Sequence, residues 1–329
     1  MTENRVELRM LGAKSYKGIG CRSSVDMIII RVMGGLGNQL QQYALYKKYE
    51  SMGVEARLDL SWFEDAVQKE MLAGRRFELT CFEGLPFRIA TREEMEAVLG
   101  RQFGESESFL AKIKRKINPA FSPIFTESDM YHPQILQWTQ KYLVGYWACE
   151  KYYADILPEL RESIRFPESS DERNHRLTEE MEQRESVSLH IRRGDYLDEA
   201  NRAMFGNICT EAYYDSAISY MKKKYPQAVF YIFSDDSDYV REHYRGEDYH
   251  IVDWNRGDDS FYDMMLMSHC RHNICANSTF SFWGARLNRY SDKVIIRPSI
   301  HKNTQVCVPE EMKSLWQGWT LITPSGEVI

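Results

Sequence analysis

Short apolar runs bounded by glycine or polar residues recur along the chain. In the first half, residues 27–33 are apolar and rich in β-branched side chains, residues 40–52 carry apolar positions at helical spacing, and residues 54–60 are apolar again. Gly53 lies where the helical pattern stops. This order predicts a βαβ unit whose first strand and helix are joined by Gly34-Gly35-Leu36-Gly37-Asn38-Gln39.

The second half alternates regularly between strand and helix patterns. Residues 187–191 predict a buried strand, and a helix with Thr210 as its N-cap follows over residues 210–224. Further strands are predicted at residues 228–233, 250–254, 273–276 and 294–298, with helices between them. Such alternation predicts an α/β fold with a parallel, doubly wound sheet. We therefore expect an N-terminal extension and two domains, at residues 1–26, 27–166 and 167–329.

Composition and charge narrow the class of protein. The 329 residues, 43% hydrophobic and 13% aromatic, suit a globular protein of two domains. A net charge of -6 argues against nucleic acid as a partner. No apolar run is long enough to span a membrane, and residues 1–26 lack the apolar region of a signal peptide. Seven scattered cysteines suit a reducing compartment, so we expect a cytoplasmic protein.

Residues 61–165 carry many aromatic side chains but no clear period, and these side chains fill cores more often than they stack on sugars. The basic run at residues 112–116 has two interpretations, a solvated helix face or a contact with anionic lipid heads. The second interpretation predicts peripheral attachment to the inner membrane.

Polar side chains follow three predicted strands of the second half. If these strands are parallel, the polar groups lie at one edge of the sheet, where ligands of open α/β sheets bind. Arginine forks grip phosphate, and hydroxyl groups at the start of a helix form a second phosphate cradle. Each group alone has a simpler explanation, as a charged turn or a helix cap. Together they predict a nucleoside-diphosphate site with acids for the ribose or base, made by Arg192, Arg193, Asp235, Asp236, Ser278, Thr279 and Ser281.

Other candidate sites are weaker. The glycine-rich loop lets backbone N–H groups approach an anion or sugar, although it is not a GxGxxG fingerprint and is alternatively a tight turn without a ligand. Asp236-Ser237-Asp238 has the DxD pattern of metal-dependent glycosyltransferases, but a metal would be redundant with an arginine fork. His269, Cys270, His272 and Cys275 fit no usual zinc spacing, so we expect no metal site.

Four motifs, in order and at suitable spacing, resemble those of the bacterial α-1,2-fucosyltransferases, glycosyltransferase family 11. They are GGLGNQ with QYA at residues 34–44, HIRRGDY at 190–196, FSDD at 233–236 and NSTFSFWG at 277–284. The resemblance covers residues 27 to about 298. It implies a GT-B fold, with two Rossmann-like domains facing each other across a cleft, the N-terminal one on the acceptor side. It further implies transfer of L-fucose from GDP-β-L-fucose to O2 of a terminal galactose, with inversion and without a metal or other cofactor.

The same resemblance implies roles for individual residues. Arg192 and Arg193 would grip the donor diphosphate with His190 nearby, and residues 278–281, which include Phe280, would be the other phosphate contact. Asp263 is the best match for the acid that reads guanine. The sugar side of the cleft would be lined by the loop residues Gly35, Gly37, Asn38 and Gln39. Gln41 departs from the family, whose members often carry an aromatic residue there.

The expected mechanism is attack of the acceptor hydroxyl on the fucose anomeric carbon, with the arginines stabilising charge on the leaving diphosphate. Asp195, Asp198 and Glu199 are candidate general bases, and Asp195 is alternatively an arginine partner that fixes the loop. Two other functions remain open: a non-catalytic sugar-nucleotide-binding protein and a metal-dependent transferase of another donor class. Enzymes of surface-polysaccharide assembly are expected partners by family analogy, and homo-oligomerisation is left open.

Overall fold

A computed structural model of the chain describes residues 26–64, 75–102, 122–128, 130–194, 199–305 and 308–329. Three predictions therefore lie outside the described residues: the extension up to residue 25, the basic run at residues 112–116, and the candidate bases Asp195 and Asp198. Within the described ranges, no helix combines the length and the apolar character that crossing a membrane requires.

The first sheet is parallel and has the strand order β2-β1-β4-β3. Helix α1 (Leu36–Ser51) connects its first two strands, so the predicted βαβ unit is confirmed. The short strands β3 and β4 and helix α2 (Arg92–Leu99) lie in the region where the sequence showed no period. The strands are β1 (Ile28–Arg31), β2 (Ala56–Asp59), β3 (Ile124–Thr126) and β4 (Lys141–Val144).

The second sheet has six parallel strands in the order β10-β9-β8-β5-β6-β7, which confirms the predicted doubly wound arrangement. The strands are β5 (Ser186–Ile191), β6 (Val229–Ser234), β7 (Tyr249–Val252), β8 (His272–Ile274), β9 (Ile295–Pro298) and β10 (Trp319–Ile322). The last strand had not been predicted.

Helices alternate with these strands, as their sequence pattern predicted. Thr210 caps the helix Glu211–Lys224 by accepting a hydrogen bond from the backbone N–H of Tyr213, as expected. The helices from α3 onward are α3 (Leu157–Ser163), α4 (Glu172–Gln183), α5 (Glu199–Phe205), α6 (Glu211–Lys224), α7 (Ser237–His243), α8 (Phe261–His269), α9 (Thr279–Leu287) and α10 (Pro309–Leu315).

One hydrophobic cluster contains buried side chains from both sheets. The strands fall within residues 27–166 and 167–329, and the exact boundary between the domains stays a prediction. A single cluster of buried side chains extends from Leu40 of α1 to Phe282 and Trp283 of α9. Tyr153 stacks on Trp283 with 6.0 Å between ring centroids. The contact between α1 and α9 therefore fixes the two sheets against each other below the cleft.

Candidate active site

A cavity of about 1570 Å³ lies between the carboxyl ends of the two sheets. The segments after β1, β3 and β4 line it from one side, and those after β5, β6, β7, β8 and β9 line it from the other. Two parallel α/β units that face each other across a cleft are the GT-B architecture that the sequence predicted.

Strand order gives the cavity two ends. In the second sheet β7 and β9 lie on opposite sides of β8, β5 and β6. One end holds Asn255 and Asp263, near an ion pair between Arg76 and Asp258, whose Nη2 and Oδ1 atoms are 2.5 Å apart. The other end, beside β9, holds Lys302 and, from the first sheet, Glu127. The residues after β5, β6 and β8 occupy the middle.

The arginine pair after β5 is split. Arg192 lines the cavity, and its Nη1 lies 3.0 Å from Asp235 Oδ2. Arg193 turns to α7 instead, where its Nε donates to Asp236 Oδ2 over 3.1 Å and its guanidinium lies 3.6 Å from the ring centroid of Tyr239. Successive side chains of extended backbone point to opposite sides, so two adjacent arginines do not both face one cleft. Of the two arginines, the structure thus places only Arg192 on the cavity lining, and a grip on the diphosphate stays a prediction.

His190 and Asp235 lie beside Arg192 in the cavity lining. His190 lines the cavity with 6% of its surface exposed. Burial, and secondarily the charge of Arg192, lower the pKa of its imidazole to about 4, so it is neutral at neutral pH. Asp235 accepts a hydrogen bond of 2.9 Å from the backbone N–H of Arg193 as well as pairing with Arg192. Its carboxylate thus fixes the loop while Asp235 also lines the cavity, and the contact to the ribose or base stays a prediction.

The N-terminus of α9 faces the middle of the cavity. Ser278, Thr279 and Phe280 line it, as predicted. Ser281 is buried, and its Oγ donates to the Ser278 carbonyl over 3.1 Å within the first turn of α9, so this hydroxyl does not face the cleft. The first N–H groups of a helix have no partner within it, and the helix dipole favours an anion there. Beside Arg192, this terminus is suited to a diphosphate.

The glycine-rich loop packs against this cradle. A Cβ on Gly37 would lie 2.5 Å from the backbone nitrogen of Phe280, so only glycine lets α1 approach α9 this closely. Gly35 and Asn38 also line the cavity. Gln39 is buried outside the lining, where its side chain accepts from the Glu78 N–H and donates to the carbonyls of Gly34 and Arg76 over 2.8–2.9 Å. It braces the loop instead of contacting a ligand.

Glu78 decides which ligand this loop suits. The backbone N–H of Leu36, in the first turn of α1, donates to the Glu78 carboxylate. Burial nevertheless raises the pKa of this carboxyl, despite the charge of Arg75 nearby. A carboxylate therefore already lies at the N-terminus of α1. This carboxyl group favours sugar hydroxyls over an anion at the loop, and the choice between these two sequence-based interpretations stays a prediction.

Asp263, on α8, lies at the Asn255 end of the cavity. Asn255 Nδ2 donates to its Oδ1 over 2.9 Å, and Asn255 is held in turn by Asn174 at 2.9 Å. Burial raises the pKa of Asp263 to about 7, while the hydrogen bond from Asn255 lowers it. This is a half-buried acceptor on a rigid support, as recognition of a base edge requires.

The sequence did not reveal Glu127 or Lys302. Glu127 follows β3, and its Oε2 accepts hydrogen bonds from the N–H groups of Tyr146 and Trp147 over 2.7 and 2.9 Å. Lys302, an exposed residue beyond β9, lines the cavity with it. An acid directly after a strand was the only available signal, and β3 is three residues long, too short to show a period. Gln41, by contrast, is fully buried and does not line the cavity.

The candidate metal residues are engaged elsewhere. Within the described ranges, no group of three or more His, Cys, Asp or Glu side chains is placed to hold a metal ion. Asp236 caps α7 by accepting from the N–H of Tyr239 over 3.1 Å. His269 and His272 contact different glutamates, Glu182 and Glu185.

Comparisons with known proteins agree with this geometry. Residues 126–322 match the family model described as glycosyl transferase family 11. Over 291 residues the chain is 27% identical to an alpha-1,2-colitosyltransferase of Escherichia coli, covering 84% of this chain and 92% of that protein. It is 29% identical over 293 residues to the O-antigen biosynthesis glycosyltransferase WbnK of Escherichia coli, covering 80% and 91%. A galactoside alpha-(1,2)-fucosyltransferase 1 of Saimiri boliviensis boliviensis is 29% identical over 111 residues, 31% of this chain and 28% of that protein.

Proposed function

The chain belongs to glycosyl transferase family 11, and from that premise we propose that it moves L-fucose from GDP-β-L-fucose to O2 of a terminal galactose, with inversion. The observation that carries the proposal is the order of groups along the cavity. The half-buried acid Asp263 at one end, Arg192 and the α9 N-terminus in the middle, and an open acceptor end match a nucleotide, a diphosphate and a sugar in sequence. The relatives named for α-1,2-colitosyl and α-1,2-fucosyl transfer support the linkage.

In the proposed reaction, the bond between the anomeric carbon and the diphosphate oxygen breaks, and its electron pair leaves with GDP. The acceptor oxygen bonds to the opposite face of that carbon. Negative charge grows on the diphosphate, where Arg192 and the first N–H groups of α9 would stabilise it. One such donor is commonly worth about 3–4 kcal/mol of transition-state stabilisation. With these donors in place, we propose that transfer proceeds without a metal.

The test is GDP release from GDP-fucose, with and without lactose or a Galβ1-3GalNAc acceptor, each repeated in chelator. We expect release that depends on the acceptor, persists in chelator and yields an α-1,2 product by NMR. Activity that disappears in chelator would favour a metal-dependent transferase, and binding without turnover on any galactoside would favour a sugar-nucleotide-binding protein.

The identity of the donor sugar needs a separate experiment. The relative named as an alpha-1,2-colitosyltransferase makes GDP-colitose the competing donor. Comparing kcat/KM for the two donors on one acceptor decides between them, and a higher value for colitose would replace fucose in the proposal. Cytoplasmic location, peripheral membrane contact through residues 112–116, partner enzymes and homo-oligomerisation remain predictions.

A further inference from the structure

Glu127 lies at the acceptor end of the cavity, outside the set of residues that the motifs assign. It follows β3, whose neighbour in the first sheet is β4, and both strands end toward the second sheet. On the opposite wall is Lys302, beyond β9. The nucleotide end, marked by Asp263, is separated from Glu127 by the strands that carry Arg192 and Ser278. A carboxyl group in this position faces the sugar that arrives, not the nucleotide that leaves.

The turn after β4 holds the Glu127 side chain in place. Both backbone N–H bonds, from Tyr146 and Trp147, converge on Oε2, so Oε1 is not used in them. Trp147 has a φ of 54°, a left-handed conformation that bulky residues rarely adopt. A Cβ on Gly145 would lie 2.6 Å from the Cβ of Glu127, so the turn also needs glycine at its start. Local strain of this kind persists where surrounding structure enforces it, commonly at functional sites.

The other carboxylates that line the cavity are engaged or less well fixed. Asp235 pairs with Arg192, and Glu78 accepts from the Leu36 N–H. Glu199 and Glu311 are exposed. Among the described residues, Glu127 thus combines a fixed position, partial burial and a place at the acceptor end.

We propose that Glu127 is the general base of the transfer, an inference that rests on the proposed function. The acceptor O–H proton passes to a carboxylate oxygen of Glu127 while the acceptor oxygen forms its bond to the anomeric carbon. The electron pair of the breaking bond leaves with GDP, so the products are the glycoside, GDP and a protonated Glu127. The proton then passes to solvent, and no further reactant is needed.

Electrostatics around Glu127 suit this role. Burial raises the pKa of its carboxyl to about 7, the hydrogen bonds from Trp147 and Tyr146 lower it, and the charge of Lys302 lowers it slightly. A base works best with a pKa near the working pH. The other titratable groups that face it are the phenols of Tyr146, Tyr152 and Tyr153, whose pKa values burial raises, so these groups stay neutral near pH 7.

Glu127→Gln is the direct test, because an amide oxygen can still accept both backbone N–H bonds. We expect kcat for transfer to fall by about 100- to 1000-fold, within the range of general-base catalysis. The Kd for GDP and the slow hydrolysis of donor without acceptor should stay within about threefold of the wild type. With the donor saturating, so that the carboxyl of Asp263 does not contribute, the wild-type kcat/KM for the acceptor should rise with pH and reach half its plateau near pH 7; this limb should be absent in the variant.

Two further variants separate catalysis from folding and from charge. Glu127→Asp should keep the pH limb at a reduced rate, because it retains a carboxylate. Glu310→Gln removes the same charge from an exposed residue outside the cavity lining and should leave kcat unchanged.

Wild-type protein that shows no acceptor-dependent GDP release would overturn the proposed function, and this inference with it. Normal wild-type transfer, together with Glu127→Gln activity within threefold and an unchanged pH limb, would overturn the inference alone. The same holds if Glu199→Gln removes the limb and Glu127→Gln does not.

Discussion

Lowering the pH should protonate the carboxyl of Asp263 and thereby weaken GDP binding. In the proposed site its carboxylate accepts hydrogen bonds from guanine donors, and a protonated carboxyl cannot accept them all. Burial raises the pKa of Asp263 to about 7, and the charge of Arg256 offsets part of that effect. The empty site is therefore protonated below about pH 7, and guanine must displace the proton in order to bind.

The size of the effect follows from that pKa. Once the site is protonated, each further pH unit weakens binding about tenfold, or about 1.4 kcal/mol. At about pH 5.5 the loss relative to about pH 8 should be roughly 30-fold, or about 2 kcal/mol. His190 does not contribute in this interval, because burial keeps its pKa at about 4.

Isothermal titration calorimetry with GDP between about pH 5.5 and 8.5 measures this directly. The GDP phosphate titrates in the same interval, so the wild type should be compared with Asp263→Asn at every pH. Phosphate ionisation affects both proteins alike, and the ratio of their Kd values isolates Asp263. We expect the wild-type advantage to be largest near pH 8 and to shrink as the pH falls. In buffers of different ionisation enthalpy, the wild type should release close to one proton more per GDP near pH 6 than the variant does.

A constant ratio across the interval would show that Asp263 does not read guanine in its ionised form. Equal affinity for GDP and ADP in the wild type would contradict the assignment more broadly, because adenine lacks the donors in question.

Three other predictions concern catalysis and packing. Gly37→Ala forces a Cβ to about 2.5 Å from backbone at the start of α9, and overpacking of this kind costs about 1–3 kcal/mol of unfolding free energy; urea denaturation should show the loss. Arg192→Ala should reduce turnover by about 100- to 1000-fold, whereas Arg193→Ala should reduce it less than about tenfold because its side chain faces α7. Glu150→Ala leaves the buried Arg286 guanidinium, now 3.0 Å from that carboxylate, without its ion pair and should destabilise the protein by about 3 kcal/mol.

Each of these has a matched control. Gly35→Ala meets the ends of the Arg75 and Glu78 side chains, at 3.3 and 4.0 Å, and should change stability much less than Gly37→Ala. Glu162→Gln breaks the exposed pair with Arg289 and should cost at most about 1 kcal/mol. Equal losses of unfolding free energy for Gly37→Ala and Gly35→Ala, or for Glu150→Ala and Glu162→Gln, would contradict the packing argument. Equal losses of turnover for Arg192→Ala and Arg193→Ala would support a grip by both arginines.

Five of the six strands of the second sheet were predictable because most of them are buried on both faces and alternate with helices of ordinary length. The motifs at the ends of β5, β6 and β8 could therefore be placed at one edge before the structure was known. The first sheet was predictable only in its βαβ unit. Its other two strands have three and four residues, too few to show a period among aromatic neighbours.

Within the site, sequence adjacency misled where side-chain direction mattered. Arg193 and Ser281 each neighbour a residue that lines the cavity, yet both turn away from it. Gln39 belongs to the motif but braces the loop from the core. Glu127 went unnoticed because its position depends on a turn formed by residues almost twenty positions further along the chain.

The shared core below the cleft also constrains how such an enzyme can evolve. Leu40 from one half of the chain and Phe282 and Trp283 from the other belong to a single buried cluster, and Gly37 fits the backbone of α9 with no room to spare. A recombinant that joined the first half of one relative to the second half of another would have to preserve this contact between α1 and α9. Otherwise apolar side chains of both halves would become exposed. New acceptor specificities should therefore arise by substitutions in the loops around Glu127 and not by exchange of whole domains.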